Sequence, residues 1–171
     1  MPAIQEKVNE QSYSVVELLE SEYDMILEKL GNLELLALKL DNSKLETEHH
    51  IEIFKLNNFI YSELMKYFHS EEDYLFKELS RLMPDPSSTR VMADEHFEIL
   101  RVCNKIQSYL SDEDAADGRK DEIQGLIYYL GGILRRHIQR KNIMLHHEVS
   151  LLIPEDTKEY LYREMYKKTH R

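Results

Sequence analysis

Residues that could bind a metal ion or pair with a buried charge recur along the chain at helical spacing. They are Tyr23, Tyr67, Glu71, His96, His137 and Lys141. Each lies on a stripe of otherwise apolar residues, where a helix would normally face a hydrophobic core. Imidazole, carboxylate and phenolate groups are metal ligands, whereas the lysine ammonium is a cation that pairs with a carboxylate. The set therefore predicts a metal site or a buried ion pair.

Two pairs within this set share a helix face. Tyr67 and Glu71 are four residues apart, as are His137 and Lys141, so the members of each pair can reach a common point. Burying a carboxylate is costly unless a cation or several hydrogen bonds compensate it. Glu71 therefore needs a partner, which is either a metal ion or Lys141.

The elements that position these residues begin with two capping boxes. Ser14 to Glu17 marks the start of a first helix that runs from Val15 to about Leu40. A second box, Ser43 to Glu46, precedes a long helix that Pro84 ends. Both helices carry apolar residues at steps of three and four, the spacing of one buried face.

The second half of the chain repeats this pattern. After a turn at 84–88, a third helix carries apolar residues from Met92 to Leu110. An acidic loop at 111–118 leads to a fourth helix that continues up to Pro154, and a short helix follows from about Glu155 to Lys168. The sequence predicts an all-α fold, an antiparallel up-down-up-down four-helix bundle with a short C-terminal helix. We expect a single domain over 1–171, with the bundle core at about 15–152.

Antiparallel packing brings the polar residues to one height. The starts of the first and third helices share an end of the bundle with the finishes of the second and fourth. Counted from that end, the six residues lie about 7 to 15 residues in, which places them within roughly 12 Å along the axis. They are predicted to form one polar layer.

The sequence resembles the hemerythrin-like (HHE cation-binding) family over about residues 15–150. In that family a His on helix 1, His-x-x-x-Glu on helix 2, a His on helix 3 and a second His-x-x-x-Glu on helix 4 hold two irons. Here the matching residues are Tyr23, Tyr67 with Glu71, His96, and His137 with Lys141. Glu71, His96 and His137 keep the family's ligand type.

The departures from the family pattern change the chemistry. Tyrosine binds a ferric ion only as a phenolate, and its free pKa is about 10. The Lys141 cation would repel a second metal ion at the place of a bridging carboxylate. The resemblance thus implies iron in a mononuclear or incomplete di-iron site, with Glu71, His96, His137, Tyr23 and Tyr67 as ligands. A competing register would use His69 with Asp73.

Composition restricts the functional classes. Lys and Arg number 22 against 32 Asp and Glu, and the resulting charge of −10 disfavours nucleic acid and anionic lipid as partners. No long apolar segment predicts a membrane span, and one cysteine without an apolar leader favours a cytoplasmic protein. No phosphate loop, zinc motif or nucleophile with its base is visible, so a non-enzymatic role is favoured while catalysis stays open.

Two functional hypotheses remain at this point. The resemblance implies a protein that binds non-haem iron or another metal in the bundle core and senses or handles oxygen, nitric oxide or iron, with a small diatomic ligand or a protein as partner. The alternative is a degenerate, metal-free bundle that acts as a regulatory or interaction module, with a Glu71–Lys141 pair in place of the metal. The oligomeric state stays open in both.

Overall fold

The computed structural model describes residues 14–41 and 47–171, and its regular structure is helical. The helices are α1 (Val15–Ser21), α2 (Asp24–Leu38), α3 (Thr47–Ser70), α4 (Lys77–Leu82), α5 (Ser87–Leu110), α6 (Glu113–Asp117), α7 (Lys120–Met144), α8 (Ser150–Leu152) and α9 (Glu155–Thr169). A 3-10 turn, Lys39–Asp41, follows α2, and π-helical turns occupy Glu71–Phe76 and Leu145–Val149.

Four arms form the expected bundle. The first is α1 with α2, the second is α3 with its π-helical turn and α4, the third is α5, and the fourth is α7 with its π-helical turn and α8. Helix α2 packs against α3 and α7, and α5 packs against the same two helices. Each arm therefore lies beside its neighbours in sequence, and the contact between α2 and α7 closes the ring. The predicted all-α bundle is confirmed.

The first arm begins as predicted but is not one uninterrupted helix. The hydroxyl of Ser14 accepts a hydrogen bond from Val16 N at 3.2 Å, which caps α1. The predicted continuous helix to Leu40 is interrupted at Glu22 and Tyr23, where a turn separates α1 from α2. Both side chains at the turn are buried, at 6% and 1% exposure. The capping box predicted at 43–46 lies outside the described residues.

The second and fourth arms each widen into a π-helical turn near the polar layer. The first such turn begins at Glu71 itself, and the second begins at Leu145, four residues after Lys141. A π-helical turn fits an extra residue into the helix and shifts the faces that follow, and such turns occur often at functional sites. The sequence pattern predicted plain α-helix in both places.

The acidic segment at 111–118 is also more ordered than a loop. It contains the short helix α6. The Asp112 side chain accepts a hydrogen bond from Ala115 N at 3.3 Å, the contact of an N-terminal cap. The sequence carried this capping residue, but the acidic run was interpreted as a loop.

Apolar side chains form two clusters on either side of the polar layer. The larger extends from the polar layer towards the far end of the bundle and includes Leu30, Ile60 and Ile106. The smaller lies at the end where the first arm begins and includes Leu75, Val149 and Met165. Helix α9 closes this end by packing against α1, α3 and the π-helical turn at 71–76. In the part of the chain that is described, no helix has the length and hydrophobicity to cross a membrane.

Candidate metal centre

Glu71 stands at the centre of the polar layer and is fully buried. Its Oε1 accepts a hydrogen bond from the Tyr23 hydroxyl at 3.0 Å and lies 3.8 Å from Lys141 Nζ. Its Oε2 lies 3.2 Å from His96 Nε2. Burial opposes ionisation, but His96 and Lys141 together lower the pKa of Glu71 to about 2. The carboxylate is therefore ionised, with its two oxygens in different surroundings.

His96 is held from behind by a second carboxylate. Its Nδ1 lies 2.6 Å from Glu72 Oε1, which leaves Nε2 facing Glu71. The ring stacks on Phe68 with 3.8 Å between the centroids. Burial opposes protonation, yet Glu71 and Glu72 raise the pKa of His96. A metal ion at Nε2 would have to displace a proton, as is usual for imidazole ligands.

His137 is held in the same way from the opposite side. Its Nδ1 lies 3.0 Å from Glu95 Oε2, and its side chain is fully buried. Burial lowers the pKa of His137, which favours the neutral ring. A neutral imidazole that donates Nδ1–H to a carboxylate presents the Nε2 lone pair, which is the arrangement found behind many metal-bound histidines.

The three residues meet at one point. Ligand atoms of Glu71, His96 and His137 lie within 4.8 Å of one another, and all three side chains are buried. Among the described residues, Glu71 Oε2, His96 Nε2 and His137 Nε2 have no hydrogen-bond partner of acceptable geometry. Two imidazoles and one carboxylate form the donor set of mononuclear non-haem iron sites. The residues therefore fit a single divalent metal ion.

Lys141 lies beside Oε1 of Glu71, whereas His96 lies beside Oε2. It is fully buried, it donates a hydrogen bond to the backbone oxygen of Leu19, and its Nζ lies 3.4 Å from the ring centroid of Tyr23. Burial lowers the pKa of Lys141 to about 8, although Glu71 opposes this change. A cation here repels a second metal ion.

The two tyrosines are placed differently from each other. Tyr23 donates its hydroxyl to Glu71, and burial and that carboxylate raise its pKa far above the usual range. It acts in this structure as a neutral donor to a ligand, while its role as a phenolate ligand stays a prediction. The Tyr67 hydroxyl donates to Glu63 Oε2, on its own arm, at 3.4 Å, and its role as a metal ligand stays a prediction.

The competing register places its residues on the surface. His69 and Asp73 are both exposed. Asp73 Oδ2 accepts a hydrogen bond from Lys168 Nζ on α9 at 3.1 Å. The structure therefore places Glu71 beside His96 and His137 in the core and leaves His69 and Asp73 on the outside of the bundle.

Glu72 and Glu95 are site residues that the sequence analysis did not identify. Each is a direct neighbour in sequence of a ligand candidate, Glu71 and His96 respectively. Adjacent residues on a helix diverge by about 100°, so each can turn towards the next arm while its neighbour faces the core. The signal was an acidic residue flanking each core position, but surface acids are common in a chain of charge −10.

Glu22 is the second buried carboxylate at this end of the bundle. Both of its oxygens lack a hydrogen-bond partner of acceptable geometry among the described residues. The Lys141 cation and, less strongly, the Thr169 hydroxyl lower the pKa of Glu22, but this hydroxyl also donates to Met165 O of its own helix at 3.2 Å. Burial, followed by the charge of Glu71, raises the pKa of Glu22 to about 7.

Comparison with known proteins agrees with this geometry. A family model described as the hemerythrin HHE cation binding domain matches residues 14–147, which include all four arms up to the second π-helical turn. No curated protein and no solved structure matches the chain.

Proposed function

The chain belongs to the hemerythrin HHE cation-binding domain family, and on that premise we propose that it binds one non-haem iron ion through Glu71, His96 and His137. The bound iron would offer open positions to a small diatomic molecule such as oxygen or nitric oxide. The protein would then sense or handle that molecule, or iron itself, in the cytoplasm.

The convergence of three ligand atoms that make no well-aligned hydrogen bond carries this proposal. A buried nitrogen or oxygen without a hydrogen bond costs free energy, and here one such atom on each of three side chains points to the same place. A metal ion would satisfy all three at once. The carboxylates behind both imidazoles support the proposal, because they set the ring orientation and make the ring a stronger ligand.

The surroundings of Glu71 favour one ion over two. Its Oε1 is already engaged by the Tyr23 hydroxyl and lies 3.8 Å from the Lys141 ammonium. A family site with two irons needs a second carboxylate where this ammonium stands. The charge of Lys141 would repel a second cation, and the repulsion is strong because the site is dry. We therefore infer a mononuclear site.

Aromatic side chains set the access of solvent to this centre. Phe68 stacks on His96, and Phe76 lies on its other side with 5.4 Å between the ring centroids. Phe68 also meets His137 edge to face. A wall of this kind excludes bulk water and larger anions and strengthens each electrostatic contact inside it. A small uncharged diatomic molecule is the class of ligand that such a site would accept.

The test is iron per chain after anaerobic loading with ferrous iron and removal of unbound metal. We expect about one ion for the parent, and nitric oxide should change the visible spectrum of the loaded protein. Glu71→Gln and His137→Ala should reduce the iron content to a small fraction. Asp73→Asn, which removes an exposed carboxylate of the same arm, should leave it unchanged. A parent protein that holds no iron would refute the proposal.

Lys141 offers a sharper test of the number of ions. Lys141→Glu together with Tyr23→His and Tyr67→His restores the family's ligand types and should raise the content to about two. Lys141→Met removes the charge but adds no ligand, so it should stay at about one. If the methionine variant also binds two ions, the second site does not need the restored carboxylate.

A metal-free role is the second candidate, and the contact between Glu71 and Lys141 favours it. This ammonium, His96 and the Tyr23 hydroxyl together can compensate the buried carboxylate without a metal. The bundle would then serve as a regulatory or interaction module for a protein partner. Ferrous loading that changes neither the iron content nor the melting temperature would support this function and exclude the first.

A further inference from the structure

A cavity lies between α1 and α9, at the end of the bundle where the first arm begins. Its volume is about 460 Å³, within the size range of small-molecule sites. Tyr67 of α3 contributes to its wall, and the other lining residues come from the first arm and α9: Ser14, Glu17, Leu18, Ser21, Glu22, Met25, Tyr162, Tyr166 and His170. Helix α9 lies beyond the matched residues 14–147, so the family resemblance does not account for this cavity.

The side of the cavity formed by the first arm is acidic. Glu17 and Glu22 supply carboxylates, and the lining includes no lysine or arginine. Glu22 is 6% exposed, and neither of its oxygens has a hydrogen-bond partner among the residues described. A buried carboxylate is normally paired with a cation or bonded to several donors. The Lys141 cation lowers the pKa of Glu22, but it forms no ion pair with that carboxylate, and the cavity beside Glu22 has the space to hold a directly paired cation.

The opposite side of the cavity is aromatic. Tyr162, Tyr166 and His170 follow one another at steps of four on α9, so they share a face of that helix. The ring centroids are 5.7 Å apart for the first pair and 4.0 Å for the second, and both pairs are stacked. Tyrosine rings attract cations by their π electrons. Tyr166 is 43% exposed, so we expect a contact of the modest strength found at partly solvated sites.

We propose that the cavity between α1 and α9 binds a small methylated ammonium ion, with Glu22 supplying the opposite charge and the α9 rings supplying cation–π contacts. An anion would meet two carboxylates and no lysine or arginine among the lining residues. A metal ion would need carboxylate oxygens that it can touch, whereas both oxygens of Glu22 are shielded.

The shielding of the Glu22 oxygens also favours a methylated ammonium ion over a primary one. A primary ammonium must donate hydrogen bonds to compensate for the water it loses, and the shielded oxygens of Glu22 are poor acceptors for it. A quaternary ammonium donates no hydrogen bond and is held by charge and by contact between its methyl groups and the rings. Leu18 and Met25 add apolar surface that suits those methyl groups.

The test uses the full chain and three probes of matched size in calorimetric titrations, before and after removal of metal by a chelator. Choline carries a quaternary ammonium, 3,3-dimethylbutan-1-ol is its uncharged isostere, and ethanolamine is the primary amine. We expect choline to bind and each of the other two to bind at least about tenfold more weakly. Equal binding of choline and the uncharged alcohol, or no binding of choline at millimolar concentration, would overturn the proposal.

Two matched pairs of variants locate the site. Glu22→Gln keeps the shape of the side chain and removes its charge, so choline should bind at least about tenfold more weakly. Glu28→Gln, on the exposed side of α2, should not change choline binding. Tyr166→Leu should weaken binding about two- to fivefold, whereas Tyr160→Leu, an exposed tyrosine of the same helix, should not. Choline affinity that is unchanged in both Glu22→Gln and Tyr166→Leu would place its site elsewhere and overturn the assignment.

Discussion

Glu71 and Glu22 are two carboxylates buried at the same end of one bundle, and their surroundings give them opposite properties. Glu71 meets a tyrosine hydroxyl, a lysine ammonium and an imidazole, and its pKa falls to about 2. For Glu22, burial and the charge of Glu71 outweigh the Lys141 cation and the Thr169 hydroxyl, and its pKa rises to about 7. Both are nearly inaccessible, at 0% and 6% exposure.

The comparison shows that burial alone does not determine the state of a carboxylate. Desolvation raises the pKa in both cases, and the balance is decided by the groups that other helices bring within reach. The compensated residue belongs to a built centre with its own supporting carboxylates. The uncompensated residue faces a cavity. A polar group that is buried at a cost to stability is a reason to look for a ligand, and we propose one beside each of the two carboxylates.

The largest effect should come from breaking the compensated side. Glu71→Ala in the metal-free protein leaves the Lys141 cation buried without its carboxylate and should cost roughly 2 to 4 kcal/mol of unfolding free energy. Replacing both residues by leucine should be much milder. Urea denaturation measures both, and Asp73→Ala, at an exposed position of the same arm, should stay within about 0.5 kcal/mol of the parent.

That experiment also tests the pairing itself. If the double leucine variant loses as much as the two single leucine variants combined, Glu71 and Lys141 contribute independently. The ammonium would then be held mainly by Leu19 O and the Tyr23 ring, and the contrast with Glu22 would lose its basis.

A smaller effect should follow from removing the carboxylates behind the imidazoles. Glu72→Gln and Glu95→Gln should each weaken metal binding about 10- to 100-fold, because the amide holds the ring less firmly and makes it a weaker ligand. Competition with a chelator of known affinity measures this change. Glu98→Gln on α5, a partly exposed residue that pairs with Arg101 and touches neither histidine, is the control. Full affinity in both variants would mean that the two histidines are not the ligands.

The smallest effect should come from removing the charge of Glu22. Its folded pKa of about 7 lies above the ordinary glutamate value of 4.5, so the folded state holds more protons than the unfolded state between these two pKa values. Glu22 therefore penalises stability progressively as pH rises through that window. Glu22→Gln should be neutral near pH 4.5 and gain roughly 1 kcal/mol over the parent by pH 8, because solvent that reaches the cavity reduces the full effect.

Urea denaturation of the metal-free parent and the Glu22→Gln variant across this pH range provides the measurement. Other groups titrate in both proteins and cancel in the difference. A difference that is constant with pH, or that favours the parent above pH 7, would mean that Glu22 has a compensating partner in solution.

Much of the centre could be predicted from the sequence because it depends on local geometry. Helical periodicity assigns Glu71, His96 and His137 to buried faces, and the fixed rise per residue places them at one height. The resemblance to the family added the choice of register, which the structure supports by burying Glu71 and exposing His69. These conclusions need only the positions of residues along each helix.

What the sequence alone determined is the number of arms, the existence of the polar layer and the three donors within it, since each follows from spacing along a single helix. Tertiary structure decided the rest. Whether the Tyr67 hydroxyl faces Glu63 or the centre, which carboxylate stands behind each imidazole, and whether Glu22 is paired all depend on how neighbouring helices rotate about their axes. A π-helical turn shifts the helix faces that follow it, and α9 packs against α1, α3 and the turn at 71–76. These contacts join segments far apart in the chain, and the periodicity of a single helix does not encode them.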